Sequence, residues 1–66
     1  MHDRIGLAAG DIYQTLEQNQ ETPLSRLARK TGLPVNLFYM GLGWLAKENK
    51  IDFRLDKRTI YVSLKK

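Results

Sequence analysis

The stretch Leu24–Ile51, LSRLARKTGLPVNLFYMGLGWLAKENKI, decides how this chain folds. Leu24, Leu27 and Ala28 are spaced by three and four residues, so they share one face of a helix. Gly32 supplies the left-handed conformation that ends such a helix, and Pro34, which has no N–H, cannot extend it. A second helix then places Val35, Phe38, Leu42 and Leu45 on its inner face. Ala28 is small enough for the two helices to approach closely. Two helices joined by the tight turn Thr31-Gly32-Leu33-Pro34 make a helix-turn-helix.

Upstream, Ile5, Ala9, Ile12 and Leu16 form one apolar stripe of a helix over about 3–18, widened by Ala8 and Tyr13. Asp11, Gln14 and Gln18 fall largely away from it. Gly6 and Gly10 each cost about 1 kcal/mol relative to alanine inside a helix. Either they let another backbone come close or they are simply tolerated. Asn19-Gln20-Glu21 is a polar connection, after which Thr22 reads as an N-cap with Pro23 at the first helical position, Ser25 being the other candidate cap.

Downstream, Ile51–Leu55 and Thr59–Leu64 alternate between apolar and polar residues across the short loop Asp56-Lys57-Arg58, the pattern of a β-hairpin. Ile51, Phe53, Leu55, Ile60, Val62 and Leu64 offer a face that closes over the helices, with Arg54, Tyr61 and Ser63 outward. Helices over about 3–18, 24–31 and 35–49 followed by a hairpin over 51–64 give the order of a winged helix: α+β, mainly helical, one domain over 1–66.

Sixty-six residues without cysteine must be held by packing, within the chain or against a second subunit, with neither disulfide nor thiolate metal site. No apolar run reaches membrane-span length and no signal-peptide pattern opens the chain, so a soluble cytoplasmic protein is expected. Residues 1–33 balance four basic against four acidic side chains, residues 34–46 carry no charge, and the whole excess of +4 lies in residues 47–66. An excess so placed suits either a polyanion-facing surface or a soluble lysine-rich tail.

The blocks Leu27-Ala28, Thr31-Gly32-Leu33 and Gly41-Leu42-Gly43-Trp44-Leu45-Ala46-Lys47-Glu48-Asn49-Lys50-Ile51 resemble a small bacterial winged helix-turn-helix family of short stand-alone proteins, a domain family of unknown function. The Gly-Trp-Leu-Ala run followed by Lys-Ile is its most distinctive part, and the resemblance runs from Ile5 to Leu64. It implies the winged-helix fold, and it implies DNA binding by analogy with the broader winged-helix group.

Catalysis is not expected. His2, the single histidine, sits at the terminus, and Ser25 and Ser63 have no histidine to activate them. Glu48, Asp52 and Asp56 lie among basic residues as candidates for surface ion pairs, and Gly41-Leu42-Gly43 falls inside a helix rather than in a phosphate loop. No metal, cofactor or small-molecule ligand is implied.

Two binding readings follow from the third helix. For DNA, Asn36, Tyr39 and Lys47 face outward, Asn36 being able to pair with adenine and Lys47 to reach phosphate or guanine. Arg26, Arg29 and Lys30 on the second helix, with Arg54, Lys57 and Arg58 in the hairpin, suit phosphate contacts. For a protein partner, most simply a second copy in a homodimer, Leu37, Met40 and Trp44 form a second apolar stripe beside the core stripe. The outward face holds no arginine, which makes it a thin reader of bases.

Overall fold

A computed structural model describes residues 2–65, with side chains from Arg4 onward. The sequence reading of Met1 and of the His2 and Asp3 side chains lies outside the described residues. Helix α1 spans His2–Asn19, strand β1 Thr22–Pro23, helix α2 Leu24–Thr31, helix α3 Val35–Lys47, strand β2 Ile51–Asp56 and strand β3 Thr59–Leu64. The strands form one antiparallel sheet in the order β1-β3-β2. Three helices against a sheet whose hairpin projects as a wing make the fold a winged helix.

The core joins all three helices to the base of the wing: Ile12 and Leu16 from α1, Leu27 from α2, Phe38, Leu42 and Leu45 from α3, and Ile51 and Val62 from the strands. Gly32 closes α2 at φ 64°, donating its N–H to the Ala28 carbonyl at 3.3 Å. Its missing Cβ makes this left-handed position nearly strain-free. Pro34 stands at the N-cap of α3, and its carbonyl accepts the Phe38 N–H at 2.9 Å.

Four sequence expectations change. First, Gly6 and Gly10 approach nothing: a Cβ at either would meet open space. The close approach is instead at Gly41, where a Cβ would lie 2.9 Å from the Ala9 nitrogen and 3.1 Å from the Ala8 Cβ. The crossing of α1 and α3 is therefore set by a glycine against two alanines. Second, Val35 is 63 % exposed, because the first turn of α3 extends beyond the cover of the neighbouring helices.

Third, Thr22 is no helix cap. It is buried in β1, paired with Val62, and Pro23 occupies the N-cap position of α2 without a side-chain cap bond. The wing hairpin thus gains a third strand. Fourth, only the base of the wing is covered. Ile51 and Val62 are buried, but Phe53 and Leu55 are 50 % and 71 % exposed and Ile60 is also exposed, because the hairpin overhangs the helices.

The Gly41 contact gives a sharp stability contrast. Gly41→Ala forces a Cβ against backbone and is expected to destabilise by about 1–3 kcal/mol. Gly43→Ala, where a Cβ meets nothing within 4 Å, is expected to stabilise by up to about 1 kcal/mol through helix propensity. Thermal or urea unfolding of the two variants beside the parent checks this; equal effects would contradict the close crossing.

Candidate nucleic-acid interface

A groove opens where α2, α3 and the wing meet. Its lining includes Ser25 and Ala28 from α2, Tyr39 from α3, and Arg58 and Ile60 from the wing. Sequence reasoning missed Ser25 in this role, since a lone serine in a helix carries no signal until its neighbours are placed. Arg29 lies one turn beyond Ser25 on the same side of α2, and both are exposed. With no side-chain cap and no acidic residue in its first turn, α2 presents a positive end next to this groove.

The wing tip is a two-residue turn, Lys57-Arg58, closed by the pairing of Asp56 with Thr59. Lys57 has φ 58° while Arg58 does not share a positive φ, the sign pattern of a type II′ turn. A lysine held where glycine is favoured stores strain of about 1 kcal/mol or more. Both side chains are exposed. Among the described residues the salt bridges all involve Arg54, so Lys57, Arg58, Arg26, Arg29 and Lys47 stand outside any such pair.

Two of the expected phosphate contacts are otherwise engaged. Arg54 donates from Nε to Glu21 Oε2 at 2.9 Å and from Nη2 to Glu21 Oε1 at 2.7 Å, with Asp56 at 3.7 Å from Nη1. It also lies over the Tyr61 ring, 4.5 Å from the centroid. This bidentate clamp turns Arg54 toward β1 and neutralises it. The hydrogen bond from Arg54 holds the Glu21 carboxyl below its usual range, with the opposite charge adding to the effect against some desolvation. Lys30 is likewise drawn away, its Nζ donating to Asn19 Oδ1 on α1 at 3.2 Å.

On α3, Asn36, Tyr39, Met40, Gly43 and Lys47 are all exposed. Tyr39 packs its ring edge-to-face on the buried Phe38, with centroids 5.2 Å apart, which fixes its position at the groove. The Lys47 ammonium sits 5.8 Å from the Trp44 ring centroid. Of the second apolar stripe, Leu37 is half-buried while Met40 and Trp44 are exposed. The structure thus brings Ser25, Tyr39 and Arg58 around one groove, with Lys57 at the adjoining tip and Arg29 one turn along α2 from Ser25, and engages Arg54 and Lys30 elsewhere.

Glu17, Glu21, Asp52 and Lys65 line a depression between the end of α1 and the strands, and Arg54 already compensates Glu21 there. Among the described residues no group of three His, Cys, Asp or Glu side chains converges on a point, and no helix is long and apolar enough to cross a membrane.

Comparison with known proteins agrees with this architecture. A family model described as "Winged helix-turn-helix domain (DUF2582)" matches residues 1–64. The uncharacterized protein MJ1608 of Methanocaldococcus jannaschii is 36% identical over 67 residues, spanning 98% of this chain and 96% of that protein. The solution NMR structure of protein BT2368 from Bacteroides thetaiotaomicron superposes with a TM-score of 0.82 at 29% identity, covering 94% of this chain and 76% of that one.

The Glu21–Arg54 clamp has a pH signature. Because the folded carboxyl titrates below its ordinary 4.5, its contribution is complete above that pH and is lost as pH falls through the lowered value. Glu21→Gln is expected to melt below the parent at neutral pH, and the gap is expected to close as pH drops below about 4.5. Melting temperatures over a pH series check it; a gap that persists in acid contradicts the clamp.

Proposed function

The chain belongs to this winged helix-turn-helix domain family, and from that membership we propose that it is a DNA-binding module, acting in the cytoplasm as a transcriptional regulator and not as an enzyme. The observation that carries the proposal is the shared groove: Arg58 of the wing, Tyr39 of α3 and Ser25 of α2 line one surface. A duplex laid against that surface meets cations from two elements at once, Arg29 from α2 and Lys57 and Arg58 from the wing. These contacts read phosphates, not bases, so they supply affinity and register without much sequence information.

Base reading falls to α3, whose outward polar groups are Asn36, Tyr39 and Lys47. Asn36 has the donor–acceptor pair that matches adenine in the major groove. One such residue gives modest discrimination, about 1–3 kcal/mol for a well-placed bidentate pair. The binding mode this supports is weak, shape-led and strongly dependent on salt.

A second reading is favoured by Met40 and Trp44, which remain 47 % and 44 % exposed on the same helix. An adaptable thioether beside a half-open indole suits a protein contact better than a base edge. On this reading α3 is a docking face for another protein. Trp44→Ala then keeps cooperative thermal unfolding; a variant that fails to fold assigns Trp44 to internal packing instead.

For DNA, titrations with unrelated duplexes at two salt concentrations are the direct test. Binding is expected at low salt and to fall steeply with added salt, by a slope of about 0.9 per phosphate contact on logarithmic axes. Arg58→Ala is expected to weaken binding across sequences and to lower that slope by about one contact. Lys57→Gly is the more telling variant: it relieves the turn and raises stability while still reducing affinity. No binding at low salt sinks the proposal.

A further inference from the structure

The two edges of the sheet are unlike. The β1 edge is two residues long and ends in Pro23, so it offers almost nothing to pair with. The β2 edge, Ile51–Asp56, is six residues long, and its only sheet neighbour is β3. It has no proline, and Phe53 and Leu55 on its inner face are largely open to solvent. A long edge with an exposed apolar face is a template for another strand.

The direction of its free main-chain groups follows from the turn. Asp56 and Thr59 close the two-residue hairpin, which makes them a hydrogen-bonded pair and gives Asp52 and Arg54 the same role. The Lys65 N–H donating to the Lys50 carbonyl at 2.9 Å continues that parity beyond the strand. The N–H and C=O groups of Ile51, Phe53 and Leu55 therefore point to the unpaired side.

Along the same segment the charges run Lys50, Asp52, Arg54, Asp56, alternating in sign and antisymmetric about Phe53. We propose that β2 pairs antiparallel with β2 of a second copy of this chain, across a two-fold axis at Phe53, to form a continuous six-stranded sheet. In this register each Lys50 faces the other copy's Asp56 with opposite sign, and each Asp52 stands opposite the other copy's Arg54, whose head group Glu21 already holds across β3. On the apolar face Phe53 meets Phe53 and Ile51 meets Leu55. Hydrogen bonds run between the main-chain groups of Ile51, Phe53 and Leu55.

Neighbouring registers that keep the apolar face together fail on charge. An axis at Arg54 sets Arg54 against Arg54 and Asp52 against Asp56. An axis at Asp52 sets Asp52 against Asp52 and Lys50 against Arg54. Like charges directly opposite one another destabilise a sheet pair, so the Phe53 register is selected. The two-fold axis stands perpendicular to the sheet, leaving both helical layers on the same side. The proposal is independent of whether the groove binds DNA.

Sedimentation equilibrium of the full chain from micromolar to millimolar concentration, with amide hydrogen exchange followed by NMR, tests it. A dimer is expected, with the Phe53 and Leu55 amides gaining protection as it forms. Phe53→Lys and Lys50→Asp, both at exposed positions, are each expected to raise the dimer dissociation constant by roughly tenfold or more. The double variant Lys50→Asp/Asp56→Lys restores opposite signs in the same register, leaves the Glu21–Arg54 clamp in place, and is expected to recover most of that loss. Circular dichroism confirms that each variant is folded. A chain that stays monomeric at millimolar concentration overturns the proposal. So does a dimer indifferent to Phe53→Lys, one that leaves the Phe53 and Leu55 amides unprotected, or one that the double variant does not restore.

Discussion

The contact of Gly41 with Ala8 and Ala9 is the constraint on which the rest depends. Helix axes normally pack 8–10 Å apart, and the distance depends on the side chains at the crossing. Here a glycine opposite two alanines brings α3 close to α1. The neighbours Phe38, Leu42 and Leu45 then fill the space between α3, α2 and the strand bases. A small core can be closed this way because few large side chains are needed to fill it. The same contact fixes the rotation of α3 about its axis, and that rotation decides which residues face outward: Asn36, Tyr39, Met40 and Lys47.

Much of the architecture is legible in periodicity. The apolar spacing in α1, α2 and α3, the Gly32 turn and the alternation of the hairpin all act locally, within a few residues. What eluded the sequence depends on where elements cross. Gly41 looks no different from Gly6 or Gly10 until the crossing point of α1 and α3 is known. Val35 shares the inner side of α3 with Phe38 and Leu42, but a helical wheel carries no information about where the cover ends. The alternation in the wing likewise gives the face of Phe53, Leu55 and Ile60 correctly but not how far the hairpin overhangs. Two residues are too few for β1 to show any period.

The candidate site was legible to a lesser degree for a related reason. Composition and position mark basic residues, but not which of them already have partners. Glu21 and Arg54 are 33 residues apart and meet only because β1 and β2 flank β3. Their clamp removes one cation from the wing and leaves the tip pair Lys57 and Arg58. The net charge of +4 therefore includes a cation, Arg54, that a polyanion would find already held by Glu21. Charge matters here through its placement more than its sum.

The short strand β1 has a bearing on how the chain acquires its structure. Thr22 pairs with Val62, joining a residue before α2 to one near the chain's end. That pairing encloses α2, α3 and the hairpin in a single loop, and closing so large a loop is entropically unfavourable until its contents are ordered. The hairpin and the helix-turn-helix rest on local contacts, whereas the β1–β3 pair is non-local. Thr22 thus works as a latch, and its release loosens the entry to α2 and one side of β3 together. Through this one pair the entry to α2 and the last strand share their stability.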